Sequence, residues 1–276
     1  IGWSPFGSDL SINSDLPRGT TNVLLLGVDK ESGGGSRSDS IMIASFTGGG
    51  IKLTSIMRDT MVDIPGSGSH KINAAYRLGG ADLAMRTVNQ AFAMNITKYA
   101  AIDFEGIAKV IDAMGGIELT ISKAEMNEIN GQLKRAYKNK RVYNGVLMTP
   151  LTDYGERIHL SGTHAMFYAR IRSIDSDYKR ASRQRILLQQ MLQKVQRTKN
   201  PFALANVAGA IMECTTTSLS FPELVALGVR AMSSGAIEQF RVPVNGTYSE
   251  GMSGGVWSIR PNLDKNKKLL KEFVYG

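Results

Sequence analysis

The apolar run Val23-Leu24-Leu25-Leu26-Gly27-Val28 stops abruptly on Asp29. A short run that ends on an acid predicts a buried strand with a polar, functional tip. Ser40–Phe46 reads as a second strand, Thr47–Gly50 as a tight turn, and Ile51–Ile56 alternates as a third strand pairing back on the second. Helical spacing then takes over. Leu83, Ala84, Val88, Ala91 and Phe92 form one stripe within 80–96, and Ile107, Ala108, Ile111 and Ala113 form another within 104–114, stopped by Gly115-Gly116. A strand at 117–121 precedes a basic, exposed helix and loop at 123–141. Further helices are expected at 161–168, 178–199, 201–214, 222–233 and 262–275, with a late strand at 237–242. Strands and helices intermix without a composition break after residue 20. The expectation is therefore an α/β fold, a single domain at 20–276 with a central mixed β-sheet flanked by helices. The Gly-, Ser-, Pro- and Asp-rich residues 1–19 read as a tail or linker.

Composition narrows the chemistry. Of 276 residues, 42% are hydrophobic and 21% charged, enough to build a core and too apolar for a disordered chain. Cys214 is the only cysteine, so neither an internal disulfide nor a cysteine-cluster zinc site is available. His70, His159 and His164 lack HExxH spacing. Lys and Arg (33) exceed Asp and Glu (24) by 9, which favours anionic partners: phosphates, nucleic acid or an anionic membrane surface. No apolar run reaches the roughly 18 residues needed to cross a bilayer.

Polar residues crowd at predicted strand tips. Asp29 ends the first strand, and Arg37-Ser38-Asp39 enters the second, where positions i and i+2 share a side. Two carboxylates beside an arginine suit a magnesium–phosphate site, since Mg²⁺ takes one or two carboxylates plus phosphate oxygens. A structural Asp–Arg pair closing the loop is the alternative. Arg58-Asp59 follows the third strand, and Lys71 follows a Gly/Ser loop. Arg170-Ile171-Arg172 would aim two guanidiniums one way if extended, and Arg180, Arg183 and Gln184 share a helix face at i, i+3, i+4. Arginines packed this closely repel unless a multivalent anion sits among them, and their planar forks fit phosphate oxygens. The alternative is a solvated basic face. The run Lys134–Arg141 could touch nucleic acid, but such a run is more often a solvated surface, or a rim that steers anions or lies near anionic lipid. Walker-type and GxGxxG patterns are missing.

At Leu26-Gly27-Val28-Asp29, Arg37-Ser38-Asp39-Ser40, Ser55-Ile56-Met57-Arg58-Asp59, Lys71-Ile72-Asn73-Ala74-Ala75-Tyr76, Tyr168-Ala169-Arg170-Ile171-Arg172 and the Asp177…Arg180…Arg183-Gln184 block, the chain resembles the LytR–CpsA–Psr family of bacterial cell-wall glycopolymer ligases. Each motif alone is weak; their order and spacing over about residues 20–200 are specific. The resemblance implies a fold with a long apolar lipid-binding channel, for whose wall helices 80–96 and 104–114 are candidates. It also implies a membrane-anchored enzyme whose catalytic domain lies outside the cell. That enzyme is a phosphotransferase that moves a teichoic acid or capsular glycopolymer from a polyprenyl-pyrophosphate carrier to a peptidoglycan hydroxyl. By the same resemblance Asp29 and Asp39 would bind Mg²⁺. Arg58, Arg170, Arg172, Arg180 and Gln184 would hold the pyrophosphate and its developing charge, with Arg37 and Lys71 in support. Asp39, then Asp29, is the candidate base for the attacking hydroxyl. The competing readings are a non-catalytic carrier-binding module and a nucleic-acid-binding regulator. The acids interleaved with the arginines argue against the second, so no nucleic acid is expected as partner.

Overall fold

The computed structural model describes residues 9–28, 38–138, 149–171, 174, 177–198, 200–253 and 255–276, with only the backbone at 177, 178 and 253. In chain order it begins with β1 (Thr21–Val28), β2 (Ser38–Phe46), β3 (Ile51–Ile56), β4 (Met61–Ile64) and β5 (Gly68–Lys71). Then come α1 (Ala74–Phe92), β6 (Lys98–Ile102), α2 (Phe104–Ala113), β7 (Ile117–Ile121), α3 (Lys123–Lys138) and β8 (Gly155–Leu160). Next are α4 (Gly162–Arg170), α5 (Asp177–Arg197), α6 (Pro201–Cys214), β9 (Thr215–Thr217) and α7 (Phe221–Met232). β10 (Ile237–Val242), β11 (Tyr248–Ser253), β12 (Val256–Pro261) and α8 (Leu263–Tyr275) complete the chain. Two compact units result: residues 1–102, 216–220 and 234–276 form the first, and 103–215 with 221–233 the second.

The first unit is built on a mixed sheet of order β10-β3-β2-β1-β6-β9. β1 and β3 each run antiparallel to β2, while β6 is parallel to β1 and β10 parallel to β3. The strand expectations at 23–28, 40–46, 51–56 and 237–242 are met. Leu24, Leu26, Ile41, Ile43 and Ile56 share a core with Leu83, Val88 and Phe92 of α1 and Leu270 and Val274 of α8. Gly27 lies opposite Ser40, and a β-carbon there would stand 2.9 Å from that of Ser40. The glycine lets β1 and β2 close up just before the site. α1 begins earlier than its stripe suggests and is kinked at Gly79-Gly80, a pairing that commonly marks such a bend. Part of the segment expected as a tail is tied to this unit. Leu16 is buried, the Asn13 side chain donates to the Ala93 carbonyl, and Asn89 donates to that of Leu10.

The second unit has its own core, in which Ala108 and Ile111 of α2 meet Ile117, Leu119 and Ile121 of β7, Ile129 of α3, Met166 and Phe167 of α4 and Leu187 of α5. β7 pairs with β8 as a separate antiparallel ribbon. The apolar stripes read as channel-wall candidates in 80–96 and 104–114 therefore fill the cores of their own units. α2 is capped by the Asp103 carboxylate, which accepts from the Gly106 N–H at 2.7 Å, and α4 is capped by the Ser161 hydroxyl. Gly162 brings α4 against α2, because a β-carbon there would lie 1.9 Å from the Ala108 carbonyl oxygen.

That contact is backbone against backbone, so neither side can swing away. Gly162→Ala should cost at least about 1–3 kcal/mol or prevent folding, measured by urea denaturation. A midpoint equal to wild type would show that the α2–α4 approach is not tight.

Candidate functional site

The sheet topology sets the first cluster. β1, β3, β6 and β10 end at the same edge at which β2 begins. Ligands of open α/β sheets favour this edge, the carboxyl ends of the parallel strands. Ile41 faces Ile56 across β2 and β3, so extending that register by two residues sets Asp39 opposite Arg58. Arg58 Nη1 donates to Asp39 Oδ1 at 2.7 Å. The hairpin of β4 and β5 folds the next segment back: the Ile72 N–H donates to the Thr60 carbonyl and the Asn73 N–H to that of Arg58. Lys71 is thereby brought to Asp59, its Nζ 2.7 Å from Oδ1, while Arg58 Nε stands 3.5 Å from Oδ2. Acid and base alternate as Asp39–Arg58–Asp59–Lys71, with side-chain exposures of 17%, 25%, 17% and 26%. The four are half-buried, where charge pairs are screened less than at an open surface.

The second unit carries the other motif residues. Arg170 is the last residue of α4 and projects from a helix, so the condition of an extended chain is not met at Arg170. Its guanidinium lies 5.1 Å from the centre of the Phe104 ring, within cation–π range. On α5, Arg180 and Arg183 are both 4% exposed and Gln184 is half-buried. Arg183 belongs to the architecture: its Nε donates to Glu125 Oε1 at 2.8 Å and its guanidinium lies 5.8 Å from the centre of the Tyr168 ring. Asp29, Arg37 and Arg172 lie outside the described residues, so Asp39 is the only one of the two expected metal carboxylates placed here. The basic run entered by Lys134 begins as the exposed end of α3, where Arg135 pairs with Glu128 at 2.8 Å.

Two residues were missed by sequence reasoning. Asp59 gives no periodic signal beyond lying next to Arg58. Glu125 was legible, because Ser122-Lys123-Ala124-Glu125 is a capping box. The Glu125 N–H donates to the Ser122 hydroxyl, and Glu125 Oε2 accepts from the Ser122 N–H and hydroxyl.

The sequence model of the LytR_cpsA_psr family matches residues 7–272, spanning both units and every motif above. This chain belongs to that family. Regulatory protein MsrR of Staphylococcus aureus is 30% identical over 266 residues, covering 93% of this chain and 75% of that protein. The polyisoprenyl-teichoic acid–peptidoglycan teichoic acid transferase TagU of Enterococcus faecalis is 31% identical over 256 residues, covering 89% and 76%. In fold, TagT bound to LIIa-WTA aligns with TM-score 0.71 at 23% identity, covering 96% of this chain and 92% of that one. TagT with bound octaprenyl pyrophosphate lipid gives 0.66 at the same identity, covering 93% and 91%. At this identity the likeness to TagT is one of fold. Among the described residues no helix of this family member is long and apolar enough to cross a membrane.

Burial pushes the Glu125 carboxyl up, but the Ser122 N–H, the Arg183 guanidinium and the Ser122 hydroxyl outweigh it and hold it below the usual carboxylate range. A lowered folded-state value stabilises the ionised form, and that stability is lost as pH falls from about 5 through the lowered value. Glu125→Gln leaves Arg183 buried without its counter-charge and should cost roughly 3–5 kcal/mol at neutral pH. Its stability should also fall less steeply on acidification. Urea midpoints at pH 7 and pH 4 check both; equal midpoints for wild type and variant at pH 7 would refute the assignment.

Proposed function

We propose that this chain is a phosphotransferase moving a teichoic acid or capsular glycopolymer from a polyprenyl-pyrophosphate carrier to a peptidoglycan hydroxyl. The observation that carries the reading is Arg58, a guanidinium fixed between Asp39 and Asp59 at the ligand-facing edge of the sheet, with Lys71 beside it. Family membership and the teichoic acid transferase among the relatives support the substrate class. TagT, whose fold this chain shares, carries octaprenyl pyrophosphate, which supports a lipid-linked diphosphate as donor.

Phosphoryl transfer asks the protein for positioning and charge neutralisation more than for a covalent nucleophile. The acceptor hydroxyl oxygen attacks the phosphorus bearing the glycan. The bond from that phosphorus to the bridging oxygen breaks, polyprenyl phosphate leaves, and the hydroxyl proton passes to a carboxylate, for which Asp39 is the candidate. Arg58 and Lys71 hold diphosphate oxygens through this change. Arg37 is a further anion ligand in this reading, and Arg170, Arg172, Arg180 and Gln184 are the anion-binding candidates of the second unit.

Asp39 also suits Mg²⁺, which is held by one or two carboxylates with phosphate oxygens and waters. No cluster of three or more metal-ligating side chains occurs among the described residues, so a cage built wholly of protein donors does not fit there. Asp39, with Asp29, would hold the ion, which when bound supplies neutralisation of the diphosphate.

The prenyl chain needs an apolar bed, since each CH₂ taken from water is worth about 0.8 kcal/mol. Helices α5, α6 and α7 pack together with few buried side chains, and Phe202 and Val229 stand 78% and 54% exposed. We assign the lipid channel to these under-buried apolar faces. In the full enzyme a membrane anchor would hold the domain on the outer surface, where carrier and peptidoglycan meet.

The test is transfer of a polyprenyl-pyrophosphate glycan to a peptidoglycan acceptor by the purified protein with Mg²⁺. Arg58→Ala and Arg170→Ala should each lower turnover on the order of 10²–10³-fold, and a chelator should abolish it. Full transfer by either variant, or transfer indifferent to the chelator, would refute the reading. Lipid binding without transfer would favour a carrier-binding module.

A further inference from the structure

We infer that Asp59, to which nothing in the family motifs gives a role, is a positioning residue that holds Arg58 and Lys71 together as one diphosphate-binding pair. The inference rests on the phosphotransferase reading above. Arg58 comes from the connection after β3 and Lys71 from the end of β5; the β4–β5 pairing and the Asn73 N–H bond to the Arg58 carbonyl join their backbones but leave the separation of the two side-chain charges to their own partners. Two cations brought to one anion site repel each other whenever the anion is away. A carboxylate between them removes that cost, and Asp59 is so placed: Oδ1 lies 2.7 Å from Lys71 Nζ and Oδ2 3.5 Å from Arg58 Nε. Each of its oxygens serves a different cation.

Asp59 is itself firmly set. Its backbone carbonyl accepts from the Ile259 N–H at 3.0 Å, and its neighbour Thr60 is fully buried and bridges to Ile259 of β12. The main chain at 59–60 is thus fixed by β12 independently of the carboxylate. Removing the charge alone, as in Asp59→Asn, should leave this framework intact. The carboxylate also differs in task from Asp39. Asp39 touches Arg58 alone of the two cations, whereas Asp59 joins them.

This geometry predicts an unusual kinetic signature. Asp59→Asn makes the site more positive by one charge, so the anionic donor should bind at least as well and KM should not rise. The cations are no longer held at a fixed separation, so kcat should fall. A displacement of about 1 Å costs on the order of a hundredfold, and a ten- to hundredfold loss is the expected range. Loss of local structure alone would raise KM and lower the melting temperature instead.

The experiment measures kcat, KM and melting temperature for wild type, Asp59→Asn and Asp59→Glu, together with acylation of Lys71 by an amine-selective reagent, mapped by mass spectrometry. Asp59→Asn should lower kcat with KM unchanged or reduced, and Lys71, no longer held by its carboxylate, should acylate faster. Asp59→Glu keeps the charge and should recover most of both readouts. Wild-type kcat in Asp59→Asn, a loss confined to KM, or unchanged Lys71 acylation would overturn the proposal. If Asp59→Asn fails to fold, Asp59→Glu with wild-type stability but without recovered kcat would overturn it equally. If the wild-type protein transfers nothing, the phosphotransferase reading falls. The acylation comparison then decides the ion-pair claim by itself, with equal rates refuting it.

Discussion

The site depends on a charge problem solved at the edge of a sheet. In the proposed function Arg58 and Lys71 grip one dianionic group, and like charges that close repel. The fold answers with two carboxylates placed by different means: Asp39 by the β2–β3 register, Asp59 by its own adjacency to Arg58 and the β4–β5 fold-back that delivers Lys71. The alternation is neutral overall and half-buried. It can persist without ligand and still offer its cations to a stronger, multivalent anion. A diphosphate brings more acceptor oxygens than either aspartate, which is the basis for expecting exchange of partners rather than simple addition.

The second unit meets the same constraint differently. α5 carries basic residues at i and i+3, and two of them, Arg180 and Arg183, are buried. A buried guanidinium needs a counter-charge or a π face. Arg183 has both, in Glu125 and Tyr168. The capping box that starts α3 therefore has a second function, since the same carboxylate that closes the helix start also neutralises an arginine of α5. Arg183 serves the packing that presents its neighbours Arg180 and Gln184.

Much of this was legible in the sequence, for identifiable reasons. The strands at 23–28, 40–46 and 51–56 are near-continuous apolar or alternating runs, and the sheet they form is what places Asp39 and Arg58. Helices with clear stripes, such as 104–114 and 178–199, match their observed spans to within a few residues. β5, β9 and β11 were not legible, because Gly68–Lys71, Thr215–Thr217 and Tyr248–Ser253 are short, polar edge segments without a hydrophobic period. The condition of an extended chain is not met at Arg170 because α4 continues to it, its last turn carrying the buried Phe167, Tyr168 and Ala169. Asp59 is named beside Arg58 but its contact was not legible, because Lys71 is twelve residues away and reached only by the hairpin. The family resemblance pointed to candidate polar residues; it does not say which of them hold the others.

The most direct test of the account is a crystal structure of the wild-type protein with a polyprenyl pyrophosphate. The diphosphate should lie at the carboxyl edge of the central sheet, with its oxygens within hydrogen-bond distance of the Arg58 guanidinium and the Lys71 amine. Density for the diphosphate at another surface, with Arg58 and Lys71 still engaged by their aspartates, would contradict it.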